Sequence, residues 1–342
     1  MCRTLRCYSV YMLASLFALA TLFIGANASA KKIKLKVCTV APPGTPWEQQ
    51  TKGIKKHIRK DSGGVIKMKV YWGGAKGGEQ ECLKKVIASD LHMYGGTLSA
   101  MNFHIPEFEV FDLPFLWDST EQVDYVLDNH ATPLVRKIMA KGDLTFYQWA
   151  ENGWQSVGNN GKFTKSPADF TGVPIRVQPS VIHPLTWKTI GATPVPLDIP
   201  DVVDALSSKK VTAFGQTPLY TFAANWQPHI THYTLTKHVY QPATIIYSKK
   251  FFDTLSPDLQ KACLAHAQKD AEEGRAGVRQ LESQLIENFK SYGIKVYELT
   301  PAEKKVFQKK GKEVRKAFEA QATSSAKQLL KVIDKGQAAF KK

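Results

Sequence analysis

The 342-residue chain is short of acid, of cysteine and of long apolar runs, and each shortage closes off a class of function. Thirty Asp and Glu face 46 Lys and Arg, a net charge of +16. Such a chain suits an anionic partner: nucleic acid, an anionic membrane surface or an acidic small molecule. One apolar run stands out, Val10 to Ile24; it is too short to span a bilayer comfortably, and no second run follows. With Arg3 and Arg6 before it, and Ala26-Asn27-Ala28 and Ala28-Ser29-Ala30 after it, residues 1–30 read as a cleaved secretory signal. No cysteine directly follows the run, so no lipid anchor is indicated, and export argues against nucleic acid. Cys2 and Cys7 leave with the signal. Cys38, Cys82 and Cys263 then permit one disulfide at most, lack metal-like spacing, and have apolar neighbours that predict buried thiols.

Catalytic signatures are missing too. There is no Gly-x-Ser-x-Gly, no His-Glu-x-x-His and no recognisable pair of catalytic carboxylates. The glycine-rich stretch Gly73 to Gly78 has no Lys-Ser/Thr ending, so it does not read as a phosphate loop. His229, His232 and His238 are scattered along strand-like sequence and propose no metal site. Neither enzyme, cofactor nor metal is expected.

What is present alternates. Ile33, Leu35 and Val37 interleave with lysines, the pattern of a half-buried strand. Ala41 to Trp47 follows as a turn, with Thr45 placed to cap a helix and Pro46 at its first position. A helix carrying Trp47, Ile54 and Ile58, a strand from Val65 to Trp72, and a helix from about Glu79 to Ser89 complete the opening. This order predicts an α/β fold with a parallel sheet, whose ligands sit beyond the carboxyl ends of the strands. The loops Ala41 to Trp47 and Tyr94-Gly95-Gly96-Thr97 occupy that place.

Further strands are expected at Leu144 to Ala150, Ile175 to Val177, Val211 to Phe214, Thr231 to Tyr240 and Thr244 to Ser248. Tyr220, Phe222 and Trp226 read as core. Pro257 opens a long helical region with an apolar stripe ending at Phe289 and Tyr292, and Gly274 and Gly277 suggest a bend in it. The tail from Pro301 is helical, with Val306, Val314, Phe318, Leu329 and Ile333 facing inward. Its twelve Lys and Arg outnumber four Asp and Glu.

Arg176 is the anomaly. It sits between Ile175 and Val177 in a short strand fenced by Gly172, Pro174 and Pro179. Its charge never titrates away, so burial demands a partner. An internal carboxylate, a bound anion, or an edge strand from which the side chain snorkels each meets the demand.

Asp169-Phe170-Thr171-Gly172 running into Ile175-Arg176-Val177, then Gly191-Ala192-Thr193-Pro194-Val195-Pro196, resembles the extracytoplasmic solute-binding proteins of TRAP transporters, the DctP type. Pro106 to Trp117, with its Asp112-Leu113-Pro114-Phe115-Leu116-Trp117 ending, is similar to that family's most recognisable segment. The resemblance implies a periplasmic, monomeric protein that binds a small organic acid and delivers it to integral-membrane permease subunits. It implies a two-domain periplasmic-binding-protein-like fold with a hinge and a long domain-spanning helix. The expected division is residues 31–152 plus about 240–276, and residues 153–239 plus about 277–342. Arg176 would grip the ligand carboxylate, with Pro43, Trp47 and Gly96 on one side of the cleft and Trp117 at its border. Beside Trp154, Gln155 stands where many members have a second arginine, and Gln216 and Thr217 stand where an acid and an asparagine are common. These departures favour a monocarboxylate with an apolar part and disfavour a cation-assisted site. A secreted hydrolase, or an exported basic protein holding polyanions or envelope through its tail, are the other readings.

Overall fold

In the computed structural model, which describes residues 32–341, the lysine-interleaved run forms β1 (Ile33–Cys38). Residues 1–30, expected as a signal, lie outside the described residues. Leu35 and Val37 pack on Ile54 and Ile58 of α1 (Pro46–Asp61). Pro46 begins that helix, but Thr45 does not cap it; its hydroxyl donates to the Pro42 carbonyl instead. β2 (Ile66–Tyr71) and β3 (Met93–Thr97) pair parallel with β1 on either side, and α2 (Glu79–Ile87) connects them.

Two strands run far longer than the sequence pattern suggests. β4 (Leu144–Asn159) and β8 (His232–Ser248) are 16 and 17 residues long and pair antiparallel through the middle of a nine-stranded sheet. Their near halves pair with each other, and that of β8 also pairs with β3; the far half of β4 pairs with β7 (Ala213–Gln216) and that of β8 with β9 (Lys295–Glu298). The order is β2-β1-β3-β8-β4-β7-β5-β6, with β5 (Pro174–Val177) and β6 (Thr193–Pro196) at the far side. Each long strand thus serves both lobes. The sequence reading broke them at Ala150 and after Tyr240, where the ladder shifts register between Glu151 and Gly153 opposite Pro242. Gly153 has φ +103, and Pro242 has no amide to donate. A bulge absorbs both without ending the strand.

The helical stretch after Pro257 is not one long helix. Following α3 (Pro218–Ala223), it comprises α4 (Pro257–Leu264), α5 (Ala267–Gln280) and α6 (Glu282–Ser291), so the breaks fall at Ala265–His266 and at Leu281. Gly274 does not bend it. A Cβ there would lie 2.1 Å from Gln50 Nε2, which donates to the Asp270 carbonyl, so the glycine permits close packing of α5 on α1. The tail also divides. α7 (Pro301–Gln321) sends Phe307 into the second-lobe core with Phe170 and Trp187. α8 (Ser324–Phe340), expected with the second lobe, packs Leu329 and Ile333 on Val123 and Val126 of the first. Gly336 allows the approach, since a Cβ there would meet Val126 Cγ1 at 2.9 Å.

Cys38 and Cys82 are joined in a disulfide with Cα atoms 5.8 Å apart, which corrects the expectation of three buried thiols; Cys263 is the buried free one. The return of α2 between the parallel strands β2 and β3, which flank β1, brings together residues 44 positions apart, a proximity that apolar neighbours in sequence do not reveal.

Arginines on α5 stitch it to the first lobe and to β4. Arg275, 4% exposed, meets Asp128 at 2.7 Å and Asp124 at 3.1 Å. Arg279 meets Asp124 and Glu151, each at 2.7 Å. Removing one partner of a buried pair leaves the other charge uncompensated, at about 3–5 kcal/mol. Arg275→Met is therefore expected to lower unfolding free energy by about 3 kcal/mol in a urea titration. A loss below about 0.5 kcal/mol would mean that solvent already screens the acids.

Candidate functional site

The carboxyl ends of β1 and β3 stop at the middle of the long strands, and backbone cannot fill the gap beyond them. A cleft with a cavity volume of about 70 Å³ results. From the first lobe it is lined by Thr39, Val40, Trp47, Trp72 and by Gly95 and Gly96, which belong to β3 and not to the loop expected there; from the other side by Asn152, Gln178, Ile199, Gln216 and Tyr220. Beside it lies a narrow recess, about 10 Å³ in cavity volume, lined by Arg176, Ser99 and Asp198. Glu79 and Gln178 are walls of both.

Arg176 is 1% exposed. β5 lies between β6 and β7, so snorkelling from a sheet edge does not apply. Its Nε and one terminal nitrogen donate to the Leu197 carbonyl at 3.1 and 2.9 Å, and the guanidinium lies 5.2 Å from the Trp226 ring centre. The other terminal nitrogen has no acceptor among the described residues. Burial pulls the pKa down to about 10, against the pull of Tyr220, Asp198 and Glu79 nearby. No carboxylate forms an ion pair with it among the described residues. Part of the guanidinium's demand is unmet.

The groups around it are held firmly. Glu79 accepts from Tyr94 Oη, Thr97 N and Thr97 Oγ1 at 2.8–2.9 Å, and its burial raises its pKa. Asp198 accepts from Ile199 N and lies against Gly78, where a Cβ would be 1.9 Å from its Oδ2. Under the cleft floor runs a chain of neutral amides. Gln155 Nε2 donates to Gln178 Oε1 and Gln241 Oε1; Asn152 Nδ2 donates to Gln241 Oε1 and Gln216 Oε1. Gln241 Nε2 in turn donates to Gln178 Oε1 and Ser99 Oγ. Bonds also cross between the lobes: Tyr220 Oη donates to the Val40 carbonyl, and Glu109 accepts from Val181 N and Ile182 N, while within the first lobe Trp47 Nε1 donates to the Glu151 carbonyl.

Of the residues singled out in sequence, Trp47, Gly96 and Gln216 line the cleft and Arg176 lines the recess. Gln155 lies one layer behind, touching Gln178. Thr217 caps the helix Pro218–Ala223 and donates to Asn152 Oδ1. Trp154 faces away from the cleft, because strand alternation sends it opposite to Gln155; its ring meets Tyr240 edge-on at 5.3 Å. Together with Thr217 it lines a separate crevice against Arg279. Trp117 is buried in the first-lobe core, and Pro43 lies on an exposed turn; neither lines the cleft. Sequence reasoning missed Glu79, Gln178, Asn152 and Asp198, and took Tyr220 for core alone. One signal was available: Gln178 stands two residues after Arg176 in the same extended run and so shares its face.

Behind β7, His238 presses on the strand that carries Gln216; its Nε2 lies 3.1 Å from where a Gly215 Cβ would stand. Its ring packs edge-on against Trp187 at 5.0 Å. Burial, and secondarily His183, hold its pKa down to about 3. The unfolded chain binds this proton near pH 6.5. The stability that His238 contributes is complete above pH 6.5 and is lost as pH falls toward 3. His238→Gln is expected to flatten the decline of Tm between pH 6 and 4. An equally steep decline in the variant would assign the effect to another group.

Comparison with known proteins places these features. The family described as bacterial extracellular solute-binding protein, family 7 (DctP), matches residues 37–321. The 2,3-diketo-L-gulonate-binding periplasmic protein of Escherichia coli is 28% identical over 276 residues, 80% of this chain and 83% of the relative. The C4-dicarboxylate-binding periplasmic protein of Rhodobacter capsulatus is 25% identical over 288 residues, 83% and 86% of the two chains. The sugar acid binding protein of Advenella mimigardefordensis, solved with galactonate, superposes with a TM-score of 0.85 at 23% identity, covering 90% of this chain and 99% of that one.

Proposed function

We propose, from the premise that this chain belongs to the bacterial extracellular solute-binding proteins of family 7, that it captures a monocarboxylate with an apolar part and delivers it to a TRAP-type permease. The relatives named above bind acids: a diketogulonate, C4-dicarboxylates and galactonate. One observation carries the reading for this chain. Arg176 is buried in the recess beside a largely apolar cleft, with a terminal nitrogen that no protein group accepts among the described residues.

The charge around it supports one carboxylate rather than two. Arg176 is the only Lys or Arg among the residues lining cleft and recess, while Glu79, Glu151 and Asp198 line them as well. A second ligand carboxylate would face these acids or the neutral amides. The Nε edge of Arg176 is engaged with Leu197, so the edge formed by its two terminal nitrogens is the one that suits a carboxylate. A lysine cannot hold Leu197 and a ligand in the same way.

A thermal-shift screen is expected to favour monoacids with aliphatic or aromatic bodies over succinate-like diacids. Arg176→Lys should weaken the best acid by at least about 30-fold in calorimetry, which corresponds to about 2 kcal/mol. Native affinity in that variant would remove Arg176 from the site. Preference for a diacid would require a cation elsewhere.

The bonds that cross between the lobes break only if the lobes separate, and the register shifts of β4 against β8 at Glu151/Gly153 and Gln155/Val157, nearest the cleft floor, are where the strands would flex. A ligand touching both lobes shifts the balance toward the closed form by its differential affinity. Small-angle scattering should show the radius of gyration fall when a binding acid is added. An unchanged radius at saturation, with binding confirmed by calorimetry, would mean that the cleft is preformed.

A further inference from the structure

We infer that the Cys38–Cys82 disulfide is a positioning element of the ligand cleft, one corner of a closed ring that sets where Glu79 stands. Cys38 is the last residue of β1 and is directly followed by Thr39, Val40 and Ala41, which line the cleft. Cys82 stands one helical turn after Glu79, the first residue of α2 and a wall of both cleft and recess. The sulfurs therefore join two segments that both supply cleft walls.

The remaining corners close the ring. Cys38 is paired across the sheet with Tyr94 of β3. The Tyr94 hydroxyl donates to Glu79 Oε1 at 2.9 Å. One turn of α2 returns from Glu79 to Cys82. All four residues are buried, and the space between them is full: a Cβ on Gly96 would stand 2.2 Å from Tyr94 Oη and 2.6 Å from Glu79 Oε1. Glu79 then transmits its position to the end of β3 by accepting from Thr97 N and Thr97 Oγ1.

A disulfide that served only as a general staple would act on the whole chain, chiefly through the unfolded state. A positioning disulfide acts on the fluctuations of its neighbours in the folded state, and hydrogen exchange resolves the two. The functional meaning rests on the cleft being the ligand site, but the local rigidity does not, so the experiment uses ligand-free protein. Amide exchange is followed at three positions in the mature chain and in the Cys38→Ala/Cys82→Ala variant. Thr97 N bonds to Glu79, Ala41 N bonds to Thr39 Oγ1, and Leu197 N, in the second lobe, bonds to the Val177 carbonyl.

The expected result is exchange at least about tenfold faster at Thr97 and Ala41, with Leu197 unchanged. Equal acceleration at all three would reduce the disulfide to a general staple, and no acceleration at Thr97 and Ala41 would remove any positioning role. Tyr94→Phe breaks another corner and leaves the disulfide intact. It should speed exchange at Thr97 while Ala41 stays protected, because the sulfurs still hold the end of β1. Loosening of Ala41 in Tyr94→Phe would overturn the inference, even if the double-alanine variant does not fold.

Discussion

A guanidinium that stays charged at any pH of interest lies in an interior strand of the second lobe, and much of the surrounding structure answers to it. The Leu197 carbonyl takes one edge, the Trp226 ring takes a face, and Glu79 and Asp198 lower the potential without reaching ion-pair distance. Direct pairing to an internal carboxylate would have satisfied the charge and shut the recess. The structure stops short of that. It leaves one terminal nitrogen facing a recess walled by the same Glu79 and Gln178 that wall the cleft. The neutral amide chain of Gln155, Gln178, Gln216, Gln241 and Asn152 follows from the same constraint. Amides both donate and accept, so they satisfy one another below the cleft without adding a charge that would compete for Arg176.

The second dependence is mechanical. A cleft between lobes requires connections that hold two cores in register. Here they are two strands of 16 and 17 residues that run through both cores. Shared strands make the nine-stranded sheet continuous, and of the three register shifts along them the one between Glu151 and Gly153 lies at the cleft floor. α5, tied by Arg275 and Arg279 to Asp124, Asp128 and Glu151, braces the back of that floor. Glu151 joins the two roles. Its carbonyl accepts from Trp47 in the cleft, and its carboxylate meets Arg279 behind it.

Local patterns were legible where a residue's role depends on its immediate neighbours. The lysine-interleaved β1, the Pro46 start of α1 and the strand that carries Arg176 between Ile175 and Val177 all follow from period, capping and flanking residues, because side-chain direction in a strand or helix is set by backbone geometry. The identity of Arg176 as the unusual charge, and of Trp47 and Gly96 as residues near strand ends, came from the same short-range reasoning, whereas Gln216 came from the family resemblance. The overreach had a common cause. Proline and glycine at 150–153 and 241–242 looked like strand ends, and Gly274 looked like a bend, because turn chemistry and close-packing chemistry use the same residues.

What depends on contact between distant segments was decided only by the fold. The 44-residue separation of Cys38 and Cys82, the approach of Glu79 to Tyr94 and Thr97, and the face of Asp198 against Gly78 are set by how α2 lies on the sheet and how the second lobe meets the first. The docking of α8 on the first lobe is of the same kind, since its apolar stripe fits many partners and only Gly336 against Val126 selects one. The sequence by itself determined which stretches alternate, which helix begins at a proline and which strand carries an arginine. Tertiary structure decided which of the arginine's nitrogens is left over, because hydrogen-bond demand is written in one segment and met, or left unmet, by others whose distance the chain order does not encode.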